Sequence, residues 1–392
     1  MFKPAKRRER WSHMENKEKV SWGTILSISS VAFGIHVGGG FATGNQTVNF
    51  FVQYGWFAAF FPIIAMLLLN LVFRSALINA LISKATDYRE WANGAFAPFQ
   101  KVMGLIFEIC FVIITIMAVA TSIAGAAELL VTYGIPYFVG VLITGAIFFV
   151  LTIFGKELVA KASSFMTICI VVCMLMICFV GLTMDGADLG SAVQPSNNPI
   201  GLWPAIWSML QYVGYQSYTG ATISPYAATL KNKTNVNKMV IVNFVLNTAM
   251  LALSTLTLMA WYDKVAGNSL PILAICSMSD LGILRYAYSI VLFMAFISTG
   301  VGCTFGTVAR FERIVFKKME ITKRRAIVSF LAMALAMGMS SVGLTALVSQ
   351  GYAKLGIVGI FVMIIPCLTF IWVRNNKNYS KAVDVEKAGK AD

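Results

Sequence analysis

The chain has 392 residues, of which 58% are apolar and 12% charged. Soluble domains carry about 25% charged residues, so the composition excludes a single water-soluble core and indicates a membrane protein. The formal charge of +14 falls between apolar runs rather than on one folded face, which argues against a nucleic-acid partner and makes the charge a report on orientation in a lipid bilayer.

Residues 1–20 are polar and basic, with no small-residue cleavage pattern after the first apolar run. They are expected to be a cytoplasmic tail, and the first span an uncleaved anchor. With about 20 apolar residues per span, ten runs follow: 21–54, 56–81, 102–131, 135–154, 158–184, 200–229, 239–262, 284–309, 326–346 and 352–373. Between the second and third, DYREWANGAFAPFQK is mixed enough for a short interfacial helix. Cytoplasmic loops are enriched in Lys and Arg. Placing both termini inside puts 28 of the 31 basic residues on that side and leaves Lys264, Arg285 and Lys354 outside. One missed span would invert every later loop, so the asymmetry supports ten spans in the plasma (inner) membrane with both ends cytoplasmic.

The first run holds GIHVGGGFATG, residues 34–44, with five glycines in eleven positions. Glycine in a helix interior costs about 1 kcal/mol relative to alanine, and lipid cannot satisfy a backbone that has come apart. Five spans later GYQSYTGATISP, residues 214–225, brackets a polar aromatic stretch with Gly214, Gly220 and Pro225. Two sets of five spans, 21–184 and 200–373, joined by an extracellular loop at 185–199 and followed by a cytoplasmic tail at 374–392, start on opposite sides of the membrane. The fold expected is therefore all-α, a 5+5 inverted repeat with spans one and six broken.

Matched interruptions near the midplane are where secondary transporters bind solute and ion. A half-helix starting near Phe41 would offer N–H donors from Gly39, Gly40 and Phe41, beside Gly38, to a carboxylate. The carbonyls of Gly34 and Val37 would face a cation. The competing reading is that GIHVG is a GxxxG packing motif. His36 reads either as a substrate donor or titrating group or as a packing residue. In span six, Tyr212, Tyr215, Gln216, Ser217 and Tyr218 supply aromatic faces and amide dipoles. Trp203 and Trp207 read as aromatic-belt residues. Seven cysteines, Cys110, Cys169, Cys173, Cys178, Cys276, Cys303 and Cys367, lie in apolar runs without a CxxC pair and read as small hydrophobes. With two histidines in the chain, a histidine-built zinc site has little to draw on.

VGGGFATGN, residues 37–45, resembles the LeuT-fold transporters of the amino acid, polyamine and organocation superfamily, and more closely the YkvI-like prokaryotic membrane proteins. The resemblance implies a cation-coupled transporter working by alternating access, in which spans one, two, six and seven rock against the rest. It implies no cofactor, but a sodium ion between the carbonyls of Gly34 and Val37 in span one and Ala295, Ser298 and Thr299 in the AFISTG stretch of span eight. It also puts Gly214, Tyr215 and the neutral Gln216 where the family has an acidic element, which questions an acidic contact to a substrate amine. Some relatives replace sodium with a lysine in mid span five; TICIVVCMLM carries no charge there, and Lys156 and Lys161 lie at its cytoplasmic end. The substrate expected is a small amine-bearing or zwitterionic metabolite, amino acid-like. A proton-coupled transporter, or an exchanger of an organic cation, is the alternative, because Glu108 and Glu128 fall within span three. A membrane-embedded enzyme lacks clustered acids or HExxH here, and a channel would carry flux far beyond a rocking mechanism.

Overall fold

The computed structural model describes residues 20–38, 40–154, 156–194, 200–279, 282–311, 314–316 and 318–378, whose regular elements are all helices. In chain order the main elements are α1 (Trp22–Val37), α2 (Asn45–Phe50), α3 (Phe61–Ser83), α4 (Tyr88–Ala95), α5 (Gln100–Val131), α6 (Tyr137–Phe154) and α7 (Lys156–Thr183). After a connection come α8 (Leu202–Gln216), α9 (Thr219–Thr222), α10 (Lys233–Ala260), α11 (Pro271–Met278), α12 (Gly282–Phe311), α13 (Ile321–Ser340) and α14 (Leu344–Asn378). Seven helices among the described residues are long and apolar enough to cross a membrane: α3, α5, α6, α7, α10, α12 and α14. Segment α1 is apolar but shorter.

Local chemistry sets the boundaries. Ser21 caps α1 by accepting from the Thr24 N–H at 3.2 Å. Helix α4 has a reciprocal cap, in which Asp87 accepts from the Glu90 N–H and Glu90 accepts from the Thr86 N–H, both at 2.8 Å. These bonds to Thr86 hold the Glu90 carboxyl below its ordinary range. The buried face of α4, Tyr88, Trp91, Ala92 and Ala95, docks on the bundle, with the Trp91 indole donating to the Ala76 carbonyl at 3.0 Å. This is the short mixed helix expected after the second span. Asn232 caps α10 from the Asn235 N–H at 2.9 Å. Two π-helical stretches, Leu347–Tyr352 and Ile360–Ile364, interrupt α14.

Helix α12 packs on α5, α6 and α7, and α10 packs on α1, α3 and α7. Helices α8 and α14 meet backbone to backbone: a Cβ on Gly214 would lie 2.0 Å from the Gly356 carbonyl oxygen, and one on Gly359 would lie 2.1 Å from that of Gly214. Gly214 thus serves backbone-to-backbone packing and not the break that the sequence assigned to it. Buried asparagines join α3 to α10: Asn243 donates to Asn70 at 2.8 Å, and Asn247 to the Asn243 side chain at 2.9 Å. Ser29 of α1 donates to the Met239 carbonyl of α10 at 3.1 Å. Bonds of this kind stand out where lipid offers no alternative partner.

The cysteines are free thiols, with Cys173, Cys178, Cys276 and Cys367 buried. Trp203 and Trp207 are exposed, as belt residues would be. Glu108, expected within the third span, is engaged in an ion pair with Arg89 of α4 at 2.8 Å, which ties α4 to α5. Glu128 is half-buried, bonded to Ser269 and near Tyr137. Segment α11 was not anticipated: PILAICSM sits in what the sequence read as a loop, and its role becomes visible only at the break in the first span.

Candidate functional site: the break after α1

Helix α1 stops at Val37 because Gly38 leaves helical dihedrals, and the chain runs irregularly until α2 begins at Asn45. The interruption is real but is shifted from the expectation. The second half-helix starts four residues beyond Phe41 and is only six residues long, so a helix-end carboxylate cradle at Phe41 does not form. Gly44 turns the chain with φ of 83°, a left-handed geometry natural to glycine, and a Cβ there would also lie 2.6 Å from Ile272.

The unwound stretch is stable in a buried setting because its own polar residues satisfy it. Thr43 donates to the Gly40 carbonyl at 2.7 Å and accepts from the Asn45 N–H at 3.1 Å. Ala42 N–H donates to the Val37 carbonyl, and Gly38 N–H to that of Gly34, each at 3.2 Å. Both carbonyls keep a second lone pair. On one side the segment is held by α11, whose Ile272 N–H donates to the Thr43 carbonyl at 3.2 Å. Asn45 donates to Thr345 at 2.9 Å and to the Ser269 carbonyl at 3.2 Å, and the Tyr288 hydroxyl donates to the Ala42 carbonyl.

On the other side lies a cavity of about 440 Å³. It brings together Gly34, His36, Gly38 and Gly40 from the first span, Tyr215, Gln216 and Tyr218 from α8 and its end, and Ser298 and Thr299 from α12. Gly38 faces Thr299 so closely that a Cβ would lie 2.8 Å from the threonine hydroxyl. Gly34 faces Thr167 of α7, at 3.1 Å by the same measure.

The remaining expected residues stand behind this lining. Val37 and Ala295 are buried and do not line the cavity. Phe41 packs its ring edge on His36. The Tyr212 hydroxyl pairs with His36 Nε2 at 2.9 Å, and Gln216 donates to the His36 carbonyl at 3.4 Å. Ser217 bonds back to the Gly214 carbonyl at 2.6 Å. Gly39 lies outside the described residues.

The second interruption is milder than expected. Ser217 and Tyr218 keep right-handed helical dihedrals, and the chain tightens into i→i+3 bonds from Ser217 to Gly220 and from Tyr218 to Ala221. Span six is therefore pinched and not unwound. The GYQSYTG stretch carries aromatic side chains that pack a helix well, and its one local side-chain bond, from Ser217 to the Gly214 carbonyl, lies within helical backbone.

Gln46 is the main residue that sequence reasoning missed. It lies in α2 and lines the cavity, with its amide over Gly40, where a Cβ would overlap it at 1.8 Å. Its Oε1 and the His36 Nδ1 are buried with no hydrogen-bond partner among the described residues. The polar run ATGNQ right after the glycines was the available signal. Thr121 of α5 and Tyr352 of α14, whose hydroxyls pair at 2.9 Å, also line the cavity. No sequence pattern links two residues so far apart.

No family model matches the chain. Yet its architecture has clear counterparts. MhsT in complex with L-phenylalanine aligns at a TM-score of 0.62 with 15% identity, covering 93% of this chain and 98% of that one. The inward-facing conformation of Mhp1 aligns at 0.59 with 13% identity, covering 86% and 76%. A mutant manganese transporter of Eremococcus coleocola aligns at 0.62 with 15% identity, covering 88% and 79%. The chain has the LeuT-type transporter fold. By sequence it is also similar to YkvI of Bacillus subtilis (strain 168), described as an uncharacterized membrane protein, with 24% identity over 254 residues that cover 62% of this chain and 70% of that protein. Among the described residues no three His, Cys, Asp or Glu side chains gather as a metal site would require.

Proposed function

We propose that the protein is a secondary active transporter that moves a small amine-bearing or zwitterionic, amino acid-like metabolite by alternating access, with sodium as coupling ion. The observation that carries this reading is the cavity at the break after α1, where the first span, the end of α8 and α12 converge. In the proposed topology the seven long helices are joined by α1 with α2, by α8 and by α13 to make ten spans in a 5+5 inverted repeat, with both termini cytoplasmic. The cavity then extends from the break toward the cytoplasm, past Ser30 and Phe305. The contacts of Ala42, Thr43 and Asn45 with Tyr288, α11 and Thr345 close the opposite face.

The proposed sodium site joins the second lone pairs of the Gly34 and Val37 carbonyls to the Ser298 and Thr299 hydroxyls, with Ala295 one turn earlier on α12. Hard oxygen ligands suit a hard cation. A site made from α1 and α12 changes when the two move apart, which supplies the differential affinity that coupling needs. The engagement of Glu108 with Arg89 takes from the proton-coupled alternative its more deeply placed carboxylate. The structural neighbour MhsT, solved in complex with L-phenylalanine, supports an amino acid-like cargo.

A thermal-shift screen of the purified protein against amino acids, amines and organic cations, with and without sodium, tests this reading. Stabilisation by at least one such solute that grows with sodium is expected. Detectable turnover of the stabilising solute, or single-channel current, would replace it with an enzyme or a channel.

A further inference from the structure

The stretch 310–325, between α12 and α13, holds seven Lys and Arg against two Glu. In the proposed topology it lies on the cytoplasmic side, where basic residues record orientation. Orientation alone does not call for apolar side chains among them. Yet Ile314, Phe316, Met319 and Ile321, within eight residues, are 44%, 49%, 37% and 55% exposed. Apolar surface is unfavourable in water and is buried when a segment lies in the headgroup region of a leaflet. The turn that presents these side chains is fixed by its own bonds. The Met319 N–H donates to the Phe316 carbonyl at 2.8 Å, and the Arg324 guanidinium reaches back to the Met319 carbonyl at 2.7 Å.

Cations stand between the apolar side chains. Lys318 and Lys323 are exposed, and among the described residues neither enters an ion pair. Glu320, the acid beside them, makes no side-chain cap bond to α13. Lys323, Arg324 and Arg325 stand at the start of α13, the end where the helix macrodipole disfavours cations, so their charge does not serve the helix that carries it. A lysine stem can lie along apolar surface while its ammonium stays at headgroup level. Each such cation near an anionic leaflet strengthens attachment about fivefold.

We propose that the connection between α12 and α13 is a seat for anionic phospholipid. Ile314, Phe316, Met319 and Ile321 enter the headgroup boundary, and Lys318 and Lys323 hold the headgroup phosphates. A soluble polyanion would use the lysines and leave the apolar side chains in water, so their interleaving favours a lipid surface. The seat sets the depth of α12 and α13 in the leaflet, and it stands independently of the cargo and ion proposed above.

The test uses the full chain in detergent micelles doped with equal amounts of phosphatidylglycerol and phosphatidylcholine of the same acyl chains, and measures the ratio of the two lipids retained after gel filtration. Phosphatidylglycerol should be enriched, and Lys318→Gln with Lys323→Gln should lower the enrichment at least fivefold. Lys318→Arg with Lys323→Arg should preserve it. Lys101→Gln with Lys377→Gln removes the same charge from exposed lysines assigned to the same side, and should change the enrichment less than twofold. Ile314→Ser with Phe316→Ser should lower the phosphatidylglycerol retained at least threefold. Equal losses from the two glutamine pairs would mean a diffuse cationic face, and retention untouched by the serine pair would mean a surface for soluble polyanions; either overturns the inference. If Lys318→Gln with Lys323→Gln melts below the parent, the parent at about 1 M salt decides, where the Debye length falls to about 3 Å. A fivefold fall in enrichment there supports the seat, and an enrichment that persists overturns it.

Discussion

A side chain at Gly38 would point across the cavity at Thr299, 2.8 Å from its hydroxyl, whereas one at Gly214 would run into the backbone of α14, 2.0 Å from the Gly356 carbonyl. A threonine side chain can turn aside; a carbonyl in a packed helix cannot. Gly38→Val is therefore expected to insert and fold, with a destabilisation set by its own φ of −6°, while losing ligand binding by more than tenfold. Gly214→Val should cost about 3 kcal/mol, the upper range for overpacking, and give little monodisperse protein. Size-exclusion profiles and melting curves with and without ligand separate the two outcomes. In the sequence these glycines look alike, each at the edge of a polar interruption. What distinguishes them is the neighbour from another helix, Thr299 in one case and Gly356 in the other, and no local pattern encodes that.

At the scale of elements, the first span is held open by a short polar code and the sixth is merely pinched. Thr43, Asn45 and Gly44 supply the bonds and the turn that an unwound backbone requires, so the break after Val37 was legible as three consecutive glycines followed by ATGNQ. Gln216 and Ser217 instead sit in continuous right-handed backbone. Gln216 lines the cavity, and the unwinding that their polarity suggested is not seen. Removing both hydroxyls opposite Gly38, in Ser298→Ala with Thr299→Ala, is expected to abolish the dependence of melting temperature on sodium while leaving the sodium-free value nearly unchanged. An unaltered sodium response removes the proposed ion site. Elsewhere the Asn70 to Asn243 bond ties α3 to α10 at 2.8 Å. A double-mutant cycle of Asn70→Ala and Asn243→Ala in thermal unfolding should return a coupling of about 0.6 kcal/mol, the average for such bonds in membranes; a value near zero would mean that the pair does not hold the helices together.

For the whole molecule, closure on one face of the break and a cavity on the other imply that solvent reaches the site from the side bearing the N-terminus. Cys303 lines the cavity and is a built-in reporter. With Cys303 kept as the one cysteine, an impermeant thiol reagent should label it in inside-out vesicles and not in right-side-out ones, and a bound solute should protect it. The helical class and the orientation bias came from composition and from the placement of basic residues, both properties of the chain as a whole. The docking of α11 on Thr43, the convergence of α5 and α14 through Thr121 and Tyr352, and the ion pair that occupies Glu108 depend on partners distant in sequence, so only coordinates reveal them. The break after α1 is proposed as the site of a coupled transport cycle. The most direct test of that role is accumulation of a radiolabelled amino-acid mixture in proteoliposomes under an imposed sodium gradient. Concentrative uptake that collapses when the gradient is dissipated and is lost in Gly38→Val is the predicted result; uptake that only equilibrates, or that survives Gly38→Val undiminished, would contradict it.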